Sequence, residues 1–472
     1  MDILNTITEL GEITVTTSRY DSINEPTRSS TVSQIKNLSY PTDYNLREVR
    51  LTSATIGDLD LKEYLVELNY FEDIYSNFVS GKIVLSDSVG VIFLGGLNGS
   101  ESLSLEFAKG QGGKTIKQTF RIFSLSDRHH DISHSYENFT LNFCSEELLM
   151  SEKYRISKSY KNKTISNIIE DLLKNALKTN KDLNIEQSSG NYDFVLPNKK
   201  IFETINWLSS YALPYSKPGA DMILFENAKG YHFKSLQSLY EQTPIFEFEY
   251  NPKNVKLNYQ QNFFHTQTHN IFNLEVMNNF NTLDATNKGV FNNRLITIDT
   301  INRTKKITDF KYDEYFSKSK KLNRNDVTTN NKNQVYVDRF NKALYDSPPD
   351  DKDAGKLQVC IGNSEQYNTR YLKENSDYIP KDFFIEKSFS HRNAQLLLSN
   401  YIRIKIVVPG NSDILVGSVV TVKVFETKQI TKNDVKKEDT YLSGKYLVTA
   451  IRHIINSTRY TSVIELAKES NI

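Results

Sequence analysis

Residues 61–107, LKEYLVELNYFEDIYSNFVSGKIVLSDSVGVIFLGGLNGSESLSLEF, constrain the fold more than any other stretch because their apolar residues repeat every second position. Tyr64, Val66, Leu68 and Tyr70 alternate with Glu63, Glu67 and Asn69, broken only by Leu65. Ile83 and Leu85 oppose Lys82 and Ser86, and Leu103, Leu105 and Phe107 oppose Ser102, Ser104 and Glu106. A period of two puts one set of side chains on one face of an extended chain, which a helix cannot do. Asp, Ser, Asn and Gly turns separate the runs, so the stretch predicts three strands of an antiparallel sheet with one buried face.

The same pattern continues from Leu46 to Cys144, ending in Phe139, Leu141 and Phe143 alternating with Thr140 and Asn142. That length of twisted sheet is enough to close as a small barrel. The period then changes to that of a helix. Ile165, Ile168, Ile169, Leu172, Leu173 and Ala176 predict an amphipathic helix over 165–178 with Thr164 as N-cap. A second helix is expected after Pro197, capped by Asn198, with Ile201, Ile205, Leu208 and Ala212 as its stripe beside Trp207, ended by Pro214 and Pro218.

DMILFEN and GYHFKSL read as a hairpin followed by the strand FEFEY, and extended runs such as NRLITIDTI follow between 255 and 301. Residues 303–380 are polar, with long loops expected around NRNDVTTNNKNQ and DSPPDDKDAGK. A helix near 390–399, capped by Ser390, leads to a closing set of strands. Ile402, Ile404, Ile406 and Val408 alternate, as do Val420, Val422 and Val424, and LSGKYLVTAIRHII pairs with RYTSVIELAK across a turn at 456–458. The fold class expected is mixed and β-rich α+β: two antiparallel β-barrels with peripheral α+β insertions.

At 472 residues the chain exceeds one core, and its formal net charge of +1 exerts no general pull on nucleic acid or an anionic membrane. No apolar run approaches the roughly 18 residues that cross a bilayer, so no membrane anchoring is expected and the chain is read as soluble. Cys144 and Cys360 are too few for a disulfide framework and read as reduced thiols.

The motifs that tempt a catalytic or binding reading each lack a required feature. AKGQGGKT at 108–115 has relaxed phosphate-loop spacing through Ala108, Gly113, Lys114 and Thr115, but TIKQTFRIF after it has strand periodicity where a helix N-terminus is needed. His129, His130 and His134 cluster in a polar connection with neither Glu nor Cys placed to complete a zinc site. The pairs Glu72 with Asp73 and Glu146 with Glu147 are adjacent in sequence, which does not establish the spacing of glycosidase carboxylates. Lys305, Lys306, Lys311, Lys318, Lys320 and Lys321 form a basic stretch that Asp309, Asp313 and Glu314 dilute, and it reads as a solvated face. No catalytic residue, cofactor site or metal ligand is assigned.

Tyr70, Phe71, Tyr75 and Phe78 crowd four aromatics into LNYFEDIYSNF, where a strand crossing is ordinarily polar. They read either as a plug of the barrel or as a subunit contact, aromatics being favoured interface anchors. Gly99 is placed for a tight corner in LNGSE, and Glu101 at the start of the next strand.

The order of YLVELNYFEDIYSNFVSGKIVLSDS, LNGSESLSLEF, NKKIFETINWLSSYAL, LFENAKGYHFKSLQSL, GVFNNRLITIDTINR, VVPGNSDILVGSVVTV and LSGKYLVTAIRHIINSTRY resembles that of the baseplate hub protein of contractile-tailed, T-even-like bacteriophages, related in fold to the hub part of type VI secretion spike proteins. The resemblance implies a non-enzymatic homotrimer whose two barrels per chain make a pseudo-sixfold ring. Such a ring joins the hexameric tail tube, or a tube-initiator protein, to the trimeric central spike, with wedge proteins around it, a possible tape measure contact and DNA only as passing cargo. The implied location is the virion baseplate, assembled in the host cytoplasm.

The expected partition is an extended arm at 1–45, a first barrel at 46–147 possibly completed by 218–250, a peripheral α+β domain at 148–217, a second barrel from 255–301 plus 400–472, and a polar insertion at 302–399. Two rivals stand beside this reading. A tail-associated peptidoglycan hydrolase would need a catalytic signature, and a host-receptor adhesin would need fibrous repeats or an aromatic glycan platform; neither feature is evident in the sequence.

Overall fold

The computed structural model describes residues 40–55, 57–88, 90, 96–110, 112–131, 136–250, 268–278, 281–299, 303–311, 318–323, 325–326, 357–361, 385–425 and 438–471. The expected arm at 1–45 lies outside these residues up to position 39, and so does His134. The first half is built from β1 (Tyr44–Ser53), β2 (Gly57–Asp60), β3 (Leu65–Asp73), β4 (Ser80–Asp87), β5 (Ser102–Lys109), β6 (Ile116–Asp131) and β7 (Tyr136–Cys144). All their pairings are antiparallel, in the order β3-β4-β7-β6-β5-β1-β2.

The three strands expected within 61–107 form, but they are not consecutive in the sheet, because the β6–β7 pair is inserted between β4 and β5. Val66, expected to face inward, is 44% exposed. A register shift between Leu65 and Glu67 in the pairing with β4 turns Leu65 toward the core in its place. Residues 108–115 close the β5–β6 hairpin, which is the strand-to-strand context anticipated against a phosphate loop.

Leu68, Tyr70, Ile83, Leu103, Leu105, Phe107, Phe120, Leu141 and Phe143 pack into one core inside this curled sheet. Gly81 faces Tyr70 on one side and Phe143 on the other, where a Cβ would run into the Phe143 ring and the Asn69 carbonyl.

The second half uses strands Phe246–Tyr250, Asn273–Asn278, Ile402–Pro409, Val419–Val424, Gly444–Asn456 and Tyr460–Lys468 around a second core. Its centre is the 13-residue strand Gly444–Asn456, buried along most of its length, as expected where both faces are covered. Val419–Val422 pair with its first residues, Gly444–Leu447, and Ala450–Asn456 pair with Glu67–Asp73 of β3. A register shift at Val448–Ala450 separates the two pairings, and a bulge there bends the strand.

The two expected barrels are therefore continuous: they form a single 13-stranded sheet, and no ladder among the described residues closes either half. In the second half, Phe246–Tyr250 runs parallel to Val419–Val424 and meets the segment leading to the far edge at the bridge Glu249–Asn270, with the Ile271 amide donating to Glu249 O at 3.0 Å.

A third core belongs to an α+β unit. Helix Ile165–Asp171 begins as expected, with the Thr164 hydroxyl accepting from the Asn167 amide, but its last turn, Leu172–Ala176, widens to π geometry. Helix Ile201–Ser209 starts after Lys200 instead of at the expected cap Asn198, which adopts φ +45°. The hairpin Met222–Asn227 and Gly230–Ser235 does not extend the first sheet, as anticipated for 218–250. It pairs with Leu183–Ile185 inside the α+β unit. Met222 and Leu224 enter that core while Ile223 and Phe225 enter the second core, so the strand is buried on both faces.

NRLITIDTI likewise leaves its expected place in the second barrel. Asn292–Asp299 pairs with Thr304–Lys311 and Leu357–Ile361 in a separate three-stranded sheet. Helix Ile385–Leu398 covers it and runs through Ser390, which is a buried mid-helix residue and not its cap. No helix among the described residues is long and apolar enough to cross a membrane.

Candidate assembly site

The crossing between β3 and β4 is where the cores meet. Ile74 packs into the second core and its amide donates to Thr449 O at 2.8 Å. Phe78 packs against the α+β core, and Val79 enters the first. Three cores thus converge on six residues of chain.

Of the four aromatics singled out from the sequence, Tyr70 is fully buried in the first core. Its ring meets Phe107 and Phe120 edge-on at 5.7 and 6.0 Å, and its hydroxyl reaches Glu72 and Gln118, both at 3.1 Å. Phe71 is 9% exposed and lies 5.7 Å beneath the Arg452 guanidinium. Phe78 is half-buried. Tyr75 alone of the four is exposed, at 42%, with its hydroxyl accepting from Asn400 Nδ2 at 2.8 Å and 3.2 Å from Ser399 Oγ. Asn400 O in turn accepts from Asn278 Nδ2 at 3.3 Å, which links Tyr75 to strand Asn273–Asn278. Met277, beside that link, is 42% exposed.

Buried charge fixes this junction. Glu72 Oε1 accepts from the Ala228 amide at 2.7 Å and Oε2 from the Val416 amide at 3.0 Å, so one carboxylate holds the hairpin turn of the α+β unit and a loop of the second half. Burial pushes its pKa up to about 7, against the lowering effect of those amides, and burial likewise moves Asp73 up to about 6. Glu226 Oε2 accepts from the Val79 amide at 3.1 Å. Lys181 Nζ bridges Glu226 at 2.6 Å and Glu147 at 2.7 Å, and Arg452 Nε donates to Asn69 Oδ1 at 2.8 Å.

The sequence reading missed Lys181, Glu226 and Arg452, and treated Glu72 only as a possible catalytic carboxylate. The available signal was a charge set among apolar residues in NYFEDI and AIRHII, at positions where a solvated strand face would not continue.

The LNGSE corner contains a further buried acid. Gly99 has φ +86°, and the carboxylate of the fully buried Glu101 accepts the amides of Asn98 and Gly99 at 2.9 and 2.8 Å. β5 begins one residue later, at Ser102. Glu146 is on the surface with Arg121, and burial pushes the buried Cys144 thiol up to about 12. Among the described residues, no group of three or more His, Cys, Asp and Glu side chains is arranged to hold a metal.

No family model matches the chain. A curated relative, the probable baseplate hub protein gp334 of Vibrio phage KVP40, is 22% identical over 409 residues, covering 84% of this chain and 88% of the relative. The crystal structure of the 43 kDa tail protein of prophage MuSo2 from Shewanella oneidensis matches with a TM-score of 0.50 at 8% identity, covering 90% of this chain and 98% of that one. A tail protein from Neisseria meningitidis MC58 gives a TM-score of 0.48 at 10% identity, over 90% of this chain and 97% of that one. The chain is thus similar along most of its length to a phage baseplate hub protein, and it shares its fold with a prophage tail protein.

Proposed function

We propose that the chain is a structural, non-enzymatic hub subunit of a phage tail baseplate. Three copies form a pseudo-sixfold ring that joins the hexameric tail tube to the trimeric central spike and leaves a passage for DNA. The observation that carries this reading is the similarity to a baseplate hub protein over 84% of the chain. The geometry supports it: two curled half-sheets lie side by side on the shared strand Gly444–Asn456, so three chains supply six such units. In the ring each half-sheet completes a tube barrel, and neighbours cover edges that would otherwise invite uncontrolled pairing.

The α+β unit and the sheet containing Asn292–Asp299 are the peripheral parts in this arrangement, available to spike and wedge proteins. Tyr75 is the aromatic best placed for a subunit contact, while Gly99 and Glu101 shape a corner of the tube wall. A near-neutral chain suits a lumen through which DNA must slide without sticking.

Light scattering of the purified chain, alone and with spike protein, tests the reading. A trimer, or a monomer that becomes trimeric on adding spike, is expected, with a ring and central hole in electron-microscopy class averages. A stable dimer indifferent to spike refutes it.

A further inference from the structure

Asp221 and Glu469 are 1% and 5% exposed, and both line one cavity of about 30 Å³. Asp221 Oδ2 accepts from the Gln237 amide at 3.1 Å and from Gln237 Nε2 at 3.3 Å, while Oδ1 has no partner. Glu469 repeats the arrangement. Its Oε1 accepts from the Leu322 amide at 2.7 Å and from Ser470 Oγ at 2.9 Å, while Oε2 has none. Each carboxylate therefore spends one oxygen on holding the local chain and keeps the other free, although buried polar groups are ordinarily paired.

The nearby cations are committed elsewhere. Arg392 Nη1 donates to the carbonyls of Ser209, Ala220 and Met222 at 3.0, 3.1 and 2.9 Å. Lys468 Nζ donates to Tyr441 O and Ser443 O at 2.7 and 2.8 Å, and Lys320 Nζ lies 3.2 Å from Glu241. Two buried carboxyl groups thus line one small space, and neither has an ion-pair partner among the described residues.

We propose that this cavity is a site for one divalent cation of the calcium type, with Asp221 Oδ1 and Glu469 Oε2 as its anionic ligands. One divalent charge balances two carboxylates. An irregular set of carboxylate, hydroxyl and amide oxygens suits calcium, which accepts flexible oxygen shells, over magnesium, which demands a near-ideal octahedron and holds its waters. The hydroxyl of Ser399 and the side-chain amide of Gln395 line the same cavity and supply uncharged oxygen, and water completes the shell. A bound ion would clamp together the start of strand Met222–Asn227, residues 319–320, the end of helix Ile385–Leu398 and the strand after Lys468. It would thereby fasten the 302–399 insertion to the body of the subunit.

Terbium provides a direct test, because Tyr240 lines the cavity and can sensitise its emission. The full chain, stripped with chelator, is titrated with terbium under excitation of tyrosine. The expected result is a saturable signal from one ion per chain, displaced by calcium but not by magnesium at the same concentration, and a higher unfolding temperature in calcium. D221N and E469Q should each weaken binding at least tenfold. Y240F, which keeps both ligands, should dim the emission without changing the affinity. Absence of a saturable signal overturns the proposal, and so does a signal equally strong in the D221N/E469Q double variant.

Discussion

Replacing Lys181 with Met should loosen the α+β unit, and the size of the effect follows from what the lysine leaves behind. Its Nζ lies 2.7 Å from Glu147 and 2.6 Å from Glu226, whose side chains are 8% and 0% exposed. Burial works against the lysine's charge, but the two carboxylates outweigh it and hold its pKa above the usual value. Removing one partner of such a buried group leaves uncompensated charge and costs about 3–5 kcal/mol. Because the chain has several cores, a single global unfolding energy is a poor readout, and hydrogen exchange of amides in 165–176 and 222–235 is the better assay. Protection there should fall by about two orders of magnitude or more, each 1.4 kcal/mol being tenfold.

The loss should also depend on pH in a defined sense. Burial raises the Glu226 pKa, and it would rise further without the lysine. A carboxylate raised in the folded state contributes its stability below its unfolded pKa and loses it as pH rises through the folded value. The K181M deficit should therefore be greatest near pH 7.5 and shrink toward pH 5. The triple variant K181M/E147Q/E226Q should recover part of the loss. A deficit under about 1 kcal/mol, or one equal at both pH values, would refute the assignment of buried, coupled charge.

Three further outcomes follow. Gly81→Ala places a methyl group against the Phe143 ring and the Asn69 carbonyl, and it should cost about 1–3 kcal/mol or more by overpacking, read as a lower melting temperature. His453 is fully buried with the hydroxyls of Tyr460 and Ser462 at 2.7 and 3.1 Å from Nδ1, and burial lowers its pKa to about 3. It therefore contributes stability above its unfolded pKa of about 6.5 that is lost as pH falls from there toward 3, and H453L should flatten that limb of a denaturant-midpoint profile. Tyr75→Ala should reduce trimer formation in light scattering while leaving the monomer's unfolding free energy within about 1 kcal/mol of wild type, since its side chain is 42% exposed; the opposite pattern returns it to a structural role.

Strand and helix periods were legible because they are local. Thr164 could be named as a cap from its position before Ile165, and the alternation at 402–408 left little choice of face. Pairing between distant strands is not written in local period, so nothing in 61–107 announced that β3 would be covered by Ala450–Asn456. For the same reason the sequence left open whether the hairpin at 222–235 completes the first barrel: its alternate residues are apolar on both faces, one for each core, and such a pattern does not say which neighbour takes which face. Helix Ile385–Leu398 was misplaced because Ser390, a good cap by type, is also small enough to sit inside a packed helix. The aromatic crossing was conspicuous, whereas Glu72 and Lys181 looked like ordinary surface charge until the chain folded around them.

The shared strand also sets a timetable for synthesis. Asn69 and Arg452 are 383 positions apart, so β3 leaves the ribosome long before the strand that covers its edge. At 5–20 residues per second that interval is roughly 20–75 s. During it, the first half-sheet lacks Leu415, Ile455 and Tyr460 of its core and shows a row of backbone donors and acceptors unpaired within the protein. An incomplete chain keeps that edge open, so premature termination yields a sticky fragment, and only a finished chain seals itself.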